Sequence, residues 1–288
     1  MRESKCRSIA GLLVSIVIVA GQSSRASAED ERLVGDPTIG NPGKLIVGVG
    51  LGLGYSKGNV FVYDASVGGA AANLPVTKIG EVDAALRQWQ FDIFAGYGDF
   101  TFMMSGSNAS GNASTKEPKV ISNIYFLEES NTAITQHHAE YALRWLARPL
   151  STRWFTPYAV IGQTETSIKQ IASAGDTGPV NYEYKGRLVG LGAVVPLGRR
   201  AGLRVDGRLV FYEGEITVDP ARNVPDYKST GSGRGKDLTV AAYLTDTDPL
   251  MPGLGLQAGF KYSTLAGPPD GTLTRQTFFV TVNYTFRD

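Results

Sequence analysis

The sequence is poor in two residue types that commonly build metal sites and catalytic pairs. It has one cysteine, Cys6, and two histidines, His137 and His138. Cys6 precedes the first apolar segment, so we expect neither a disulfide nor a cysteine metal site in the main part of the chain. The two histidines are adjacent, and a strand would point them to opposite faces. No metal and no cofactor are therefore predicted.

The chain also lacks an excess of charge of one sign. It contains 28 basic and 27 acidic residues, so nothing in its charge points to nucleic acid as a partner. Beyond residue 28, no apolar run approaches the roughly 20 residues that a transmembrane helix needs. If the chain spans a membrane, it must do so as a closed β-barrel, because lipid cannot satisfy the backbone groups of an open sheet edge.

The first 28 residues have the three parts of a secretory signal peptide. Basic residues at positions 2, 5 and 7 precede an apolar segment from Ile9 to Gly21, and small residues follow at Ala26, Ser27 and Ala28. The apolar segment is too short for an N-terminal membrane anchor. We expect cleavage near Ala28, a periplasmic lead-in over residues 29–43 and one domain over residues 44–288.

The remaining chain alternates between apolar and polar or glycine residues with a period of two. From Lys44 to Tyr55, apolar residues occupy the odd positions and glycine occupies most even ones. A helix would not tolerate so many glycines, so this segment is predicted to be a strand. The last segment, Thr277 to Phe286, alternates in the same way. Its apolar set is Phe278, Val280, Val282, Tyr284 and Phe286.

The last segment resembles the C-terminal targeting strand of Gram-negative outer-membrane β-barrels, which ends in an aromatic residue with apolar residues at alternate positions before it. This resemblance implies location in the outer membrane and recognition of the strand by the barrel-assembly machinery. It also implies contact with outer-membrane lipid and lipopolysaccharide. The residues indicate no narrower family, and they leave the oligomeric state open.

The pattern predicts an all-β fold, a transmembrane antiparallel up-and-down β-barrel of ten strands. Twelve strands would result if residues 120–127 added strands, and eight is the other alternative. The predicted connections alternate between mostly long ones (57–84, 107–133, 171–179, 219–236 and 265–272) and shorter ones (98–99, 148–153, 196–202 and 245–253). Outer-membrane barrels show this asymmetry, with short periplasmic turns. A turn at 148–153 would place Leu143 opposite Tyr158, both facing outward.

The strand phases place a set of charged and polar side chains in the barrel lumen. The set is Asp92, His138, Glu140, Arg144, Arg204, Asp206, Arg208 and Lys261. Strands five apart lie opposite in a ring of ten, so we expect Arg204 and Arg208 to face Asp92, and Lys261 to face Glu140. These side chains would either fill the lumen with a charge network or line a narrow pore of mixed sign.

Three functions are compatible with such a barrel. The sequence has no GxSxG, HExxH or complete P-loop motif, which favours a non-enzymatic outer-membrane barrel. Its lumen would hold the charge network, and its polar outer loops would serve surface binding or envelope integrity. The first alternative is a narrow, porin-like channel for small solutes. The second is an outer-membrane hydrolase similar to the omptin proteases, with His138 near Glu140 and Glu165 as an acid–histidine pair.

Overall fold

A computed structural model describes residues 45–64, 77–121, 124–152, 154–172, 179–198, 200–218, 227–245, 253–267 and 271–287. The predicted signal peptide and lead-in lie outside these residues. The described residues form ten long strands. They are β1 (Leu45–Asp64), β2 (Thr77–Tyr97), β3 (Phe100–Ile121), β4 (Ile124–Leu146), β5 (Thr156–Ala172), β6 (Val180–Pro196), β7 (Ala201–Val218), β8 (Tyr227–Thr245), β9 (Leu254–Gly267) and β10 (Gly271–Arg287).

The strands form a closed antiparallel barrel. Each strand pairs with the next one along the chain, and β1 pairs with β10 to close the ring. Closure satisfies the backbone groups that an open sheet would leave at its edges. The predicted ten-stranded up-and-down barrel is confirmed. Among the described residues, no helix is long and apolar enough to cross a membrane.

The predicted outer loops were too long. Residues 107–121, predicted to be loop, belong to β3, which pairs with β4 as far as Ile121 and Ile124. The segment 120–127 therefore extends an existing hairpin and adds no strands. Similarly, β8 begins at Tyr227, within the predicted loop 219–236. Where a strand passes beyond the apolar part of a barrel, both of its faces can be polar, so the ladder continues after the alternation has been lost.

The stagger of the ladders fixes the shape of the barrel. Gly50 on β1 has a ladder partner on β2, which has one on β3, and so on. This series of partners reaches Gly233 on β8. The other direction, through β10 and β9, leads to Thr245. The two positions on β8 differ by 12 residues (245 − 233). For ten strands this stagger gives a tilt of about 40° and a backbone diameter of about 20 Å.

The outer face of the barrel carries a broad apolar band. Leu51 is 70% exposed, and Leu53 and Leu191 are each 73% exposed. Exposed apolar patches of this extent mark contact with a partner or with lipid. At a tilt of about 40°, the apolar residues from Leu45 to Tyr55 span roughly 25 Å, the height of the apolar band of outer-membrane barrels. The predicted targeting residues also face outward. They are Phe278, Val280, Val282, Tyr284 and Phe286.

Candidate functional site in the barrel lumen

The eight predicted lumen residues all lie on inward-facing positions of their strands. We call the end of the barrel that holds the turn at Gly98 and Asp99 the short-turn end. Buried side chains close the lumen there, each at most 3% exposed. They are Ile46, Phe94, Leu146, Val194 and Tyr243. Arg144 is also fully buried, and its guanidinium carbon lies 4.6 Å from the centre of the Tyr158 ring.

A connected set of polar side chains crosses the lumen next to these residues. The Tyr158 hydroxyl donates a hydrogen bond to Asp206 Oδ2 at 3.2 Å. Asp206 Oδ1 accepts a second one from Arg208 Nε at 2.6 Å, and Arg208 Nη1 donates to Glu140 Oε1. Arg204 Nε lies 4.0 Å from Asp206 Oδ2. We refer to Glu140, Arg144, Tyr158, Arg204, Asp206 and Arg208 together as the lumen network.

Two glycines on β6 make room for the lumen network. Gly192 is the ladder partner of Tyr158, and a Cβ atom at Gly192 would lie 2.4 Å from Cζ of that ring. Gly190 is the ladder partner of Arg208, and a Cβ atom there would lie 2.8 Å from Arg208 Cγ. The ring and the guanidinium stem can cross the lumen at this height because β6 carries no side chains at these two positions.

The stagger explains why Arg208 contacts Glu140. Stepping from Arg208 across β6 and β5 leads to Arg144 on β4. A stagger of 12 residues over ten strands corresponds to about 1.2 residues per strand, or about four over three strands. The residue on β4 at the height of Arg208 is therefore Glu140.

The predicted facing pairs were correct in part. Arg204 interacts electrostatically with Asp92, as Lys261 does with Glu140, but Arg208 does not face Asp92. Asp92 stands five strands from Arg208, across a diameter of about 20 Å, and Arg208 is bonded to Glu140 and Asp206 instead. Lys261 is near Glu140 as expected, but its direct ion pair is with Asp237, whose Oδ2 lies 2.9 Å from its Nζ. Asp237 was missed because it directly follows the predicted loop 219–236.

The phase of β5 was also predicted wrongly. Leu143 is paired with Ile161 rather than with Tyr158, and Tyr158 faces the lumen, where it is 1% exposed. The connection holds a short 3₁₀ turn at Arg148–Leu150, and β5 begins only at Thr156. The register consequently shifts by three residues, and an odd shift reverses the faces of a strand.

The acid–histidine pair expected for a hydrolase is not formed. His138 faces the lumen with Nδ1 2.8 Å from Thr166 Oγ1. Glu140 lies near His138, as expected, but it is bonded to Arg208, and Glu165 is exposed on the outer face of β5. His137 is exposed on the outer face of β4. In the part of the chain that the structure describes, no group of three or more His, Cys, Asp or Glu side chains is arranged to hold a metal ion.

A cavity of about 270 Å³ occupies the lumen next to the network. Polar side chains of several strands line it, including Gln88, Asp92 and His138. Farther from the short-turn end, its wall becomes apolar. The apolar residues there are Leu86, Ile134, Ile168, Val210, Leu265 and Leu273. The cavity thus combines polar groups with an apolar collar, a combination typical of small-molecule sites.

No protein-family model matches this chain, and no curated protein is similar to it in sequence. Its fold is similar to that of the outer-membrane protease OmpT from Escherichia coli, with a TM-score of 0.53 and 13% identity over 85% of this chain and 97% of that one. The outer-membrane protein OprG from Pseudomonas aeruginosa gives a TM-score of 0.41, with 10% identity over 87% of this chain and 99% of that one. At such identities, the likeness to OmpT shows a shared fold, that of outer-membrane β-barrels.

Proposed function

We propose that this protein is a non-enzymatic outer-membrane barrel whose lumen does not conduct. It would work at the cell surface, through its outer loops and its contacts with the surrounding lipid. The observation that carries the proposal is the lumen network, which crosses the lumen in a buried layer. Arg144, Tyr158 and Asp206 within it are each at most 1% exposed.

The narrow-channel alternative has less support. A pore lined by charges of both signs needs a continuous water-filled path past those charges. Here Arg208 is bonded to acceptors on β4 and on its own strand, and buried apolar side chains such as Phe94 and Leu146 close the short-turn end. Ions would therefore meet packed side chains before they reached the periplasmic side.

The hydrolase alternative is not favoured by the histidines. A general base must be oriented by a partner and must reach a substrate proton. His138 is bonded to a threonine hydroxyl, and His137 is exposed on the outer face of the strand, so neither forms the expected pair with a carboxylate. The likeness to a protease is one of fold, and it does not assign this chain that activity.

The short turns and the positions of the first and last strands support an orientation with the short-turn end in the periplasm. β1 begins and β10 ends at the short-turn end, since Ile46 is paired with Arg287. The targeting strand would be read by the barrel-assembly machinery at that side. The opposite ends of the strands would face the cell exterior.

Basic side chains beyond the apolar band support lipopolysaccharide as a partner. Lys57, Arg87, Arg187 and Lys236 are all exposed on outward positions, each two residues from an exposed apolar residue of the band on its strand (Tyr55, Trp89, Val189 and Leu238). Glu213 occupies the corresponding place on β7. Lysine and arginine at this height would bind the phosphates of the outer leaflet.

Recordings of ion conductance across planar bilayers test the proposal directly. The closed lumen predicts no conductance steps for the folded wild type. Stable steps would favour the channel alternative.

A further inference from the structure

We propose that the lumen cavity is a binding site for a small organic acid, a carboxylate with an apolar body, and that Arg275 holds its carboxylate. Arg275 lies on an inward position of β10 and lines the cavity. Its Nη2 atom is buried, and it has no hydrogen-bond partner among the described residues. This inference does not depend on whether the barrel conducts.

The immediate neighbours of Arg275 provide no negative charge. Its ladder partners are Gly58 on β1 and Ser263 on β9, and its inward neighbours along β10 are Leu273 and Thr277. Gly58 lies so close to the backbone of Thr274 and Arg275 that a Cβ atom there would clash with it. A buried guanidinium nitrogen without a hydrogen-bond acceptor is costly, and a bound anion would remove that cost.

The carboxylates of the described lumen that lie nearest are already bound to other cations. Asp237 shares a ladder row with Ser263 and is two strands from Arg275, but it is bonded to Lys261 at 2.9 Å. Glu140 and Asp206 are bonded to Arg208. Asp92 leads through the ladder to Asn283 on β10, and the stagger over two strands places it at the height of about residue 281, roughly 20 Å along β10 from Arg275. An anion at Arg275 would therefore not meet a free carboxylate.

The walls next to Arg275 determine the rest of the ligand. Leu273 and Leu265 flank it on β10 and β9, and Leu86, Ile134 and Val210 also line the cavity. The guanidinium fork suits a bidentate carboxylate, and the apolar wall suits a hydrocarbon body. The cavity of about 270 Å³ is slightly smaller than typical sites for drug-sized ligands. The geometry therefore points to a monocarboxylate of modest size.

The binding test compares three probes of one shape. The protein in lipid nanodiscs is titrated with 3-phenylpropionate, 3-phenylpropan-1-ol and 3-phenylpropylamine by calorimetry, with empty nanodiscs as the blank. We expect the acid to bind at least tenfold more tightly than the alcohol and the amine. Decanoate is a second acid probe. Tighter binding of decanoate than of 3-phenylpropionate would indicate a fatty-acid ligand, and the reverse order would indicate a compact water-soluble acid. Equal binding of acid and alcohol, or no binding of either acid at millimolar concentration, would overturn the proposal.

Two pairs of variants then test the role of Arg275. Arg275→Gln should weaken acid binding at least tenfold, whereas Arg234→Gln, on an exposed outward position of β8, should leave it unchanged. Leu273→Glu places a carboxylate beside Arg275 and should abolish acid binding, whereas Leu273→Gln, of the same size and uncharged, should retain it. The second pair keeps the test valid if Arg275→Gln does not fold. Undiminished binding to Arg275→Gln, or to folded Leu273→Glu, contradicts the assignment.

Discussion

Arg208 on β7 and Glu140 on β4 form an ion pair across the lumen, three strands apart in the ring. The same guanidinium binds Asp206 on its own strand, and Asp206 accepts a hydrogen bond from Tyr158 on β5. Arg208 therefore ties β4, β5 and β7 together at one height. Its removal would leave two buried carboxylates without their strongest partner.

We predict that Arg208→Ala destabilises the barrel by about 3 to 5 kcal/mol, because removal of one partner leaves buried charge uncompensated. Guanidinium denaturation of the protein in lipid vesicles measures this effect. In a double-mutant cycle with Glu140→Ala, the two substitutions should be strongly coupled. The matched control is Lys228 and Glu215, an exposed pair 2.7 Å apart, whose coupling should stay below about 1 kcal/mol. Similar coupling energies for the two pairs would show that the lumen pair is not structural.

The final aromatic residue should matter more for assembly than for stability. Phe286→Ala removes one lipid-facing ring, at a cost of about 3 kcal/mol, but it also alters the strand that the assembly machinery would read. We expect a lower amount of folded barrel in outer-membrane fractions, measured by heat-modifiable gel mobility. Phe211→Ala, at another exposed aromatic residue, is the control. Equal membrane levels of the Phe286 variant and the wild type would count against the targeting role.

The proposed orientation can be tested with single cysteines, because Cys6 is the only native one. In a Cys6→Ser background, we expect Thr230→Cys, exposed near the start of β8, to react with a membrane-impermeant maleimide on intact cells. Leu150→Cys, in the turn before β5 and at a residue that is 68% exposed, should react only after the outer membrane has been permeabilised. The reverse pattern would place the short-turn end outside.

Contact with lipopolysaccharide should depend on the basic side chains beyond the apolar band. Wild-type protein should unfold at a higher temperature in the presence of lipopolysaccharide than in neutral lipid alone. Replacement of Lys57, Arg87, Arg187 and Lys236 by glutamine should remove most of that increase, because phosphate contacts need the positive charges. Lys169 and Lys228, exposed nearer the outer ends of β5 and β8, provide the control when replaced in the same way. An unchanged increase in the quadruple variant would argue against phosphate recognition by these residues.

The alternation in the sequence was sufficient to predict the barrel because lipid favours apolar side chains on the outward positions of the membrane-spanning band. Leu51 and Val282, which are ladder partners on β1 and β10, show this rule clearly. The turn at Gly98 and Asp99 was likewise predictable. Gly98 has a φ of 59°, a conformation that glycine adopts easily and that suits a two-residue hairpin.

The pairing within the lumen could not be predicted in the same way. On β5, both the outward Ala159 and Ile161 and the inward Tyr158 and Val160 are apolar, so the sequence does not distinguish the two faces. The register depended on a turn whose length the sequence leaves open. The partner of Arg208 depended on the stagger of the whole ring, to which all ten ladders contribute.

The most direct measurement is the conductance of the purified wild-type protein in planar bilayers, beside a variant with Arg144→Ala and Tyr158→Ala. These substitutions remove the buried guanidinium and the ring stacked against it. Tyr141→Ala, on an outward position of β4, controls for the loss of an aromatic residue. A closed lumen predicts silent recordings for the wild type and the Tyr141 variant, and conductance steps for the double variant. Stable conductance steps in the wild type would contradict a lumen closed by the network.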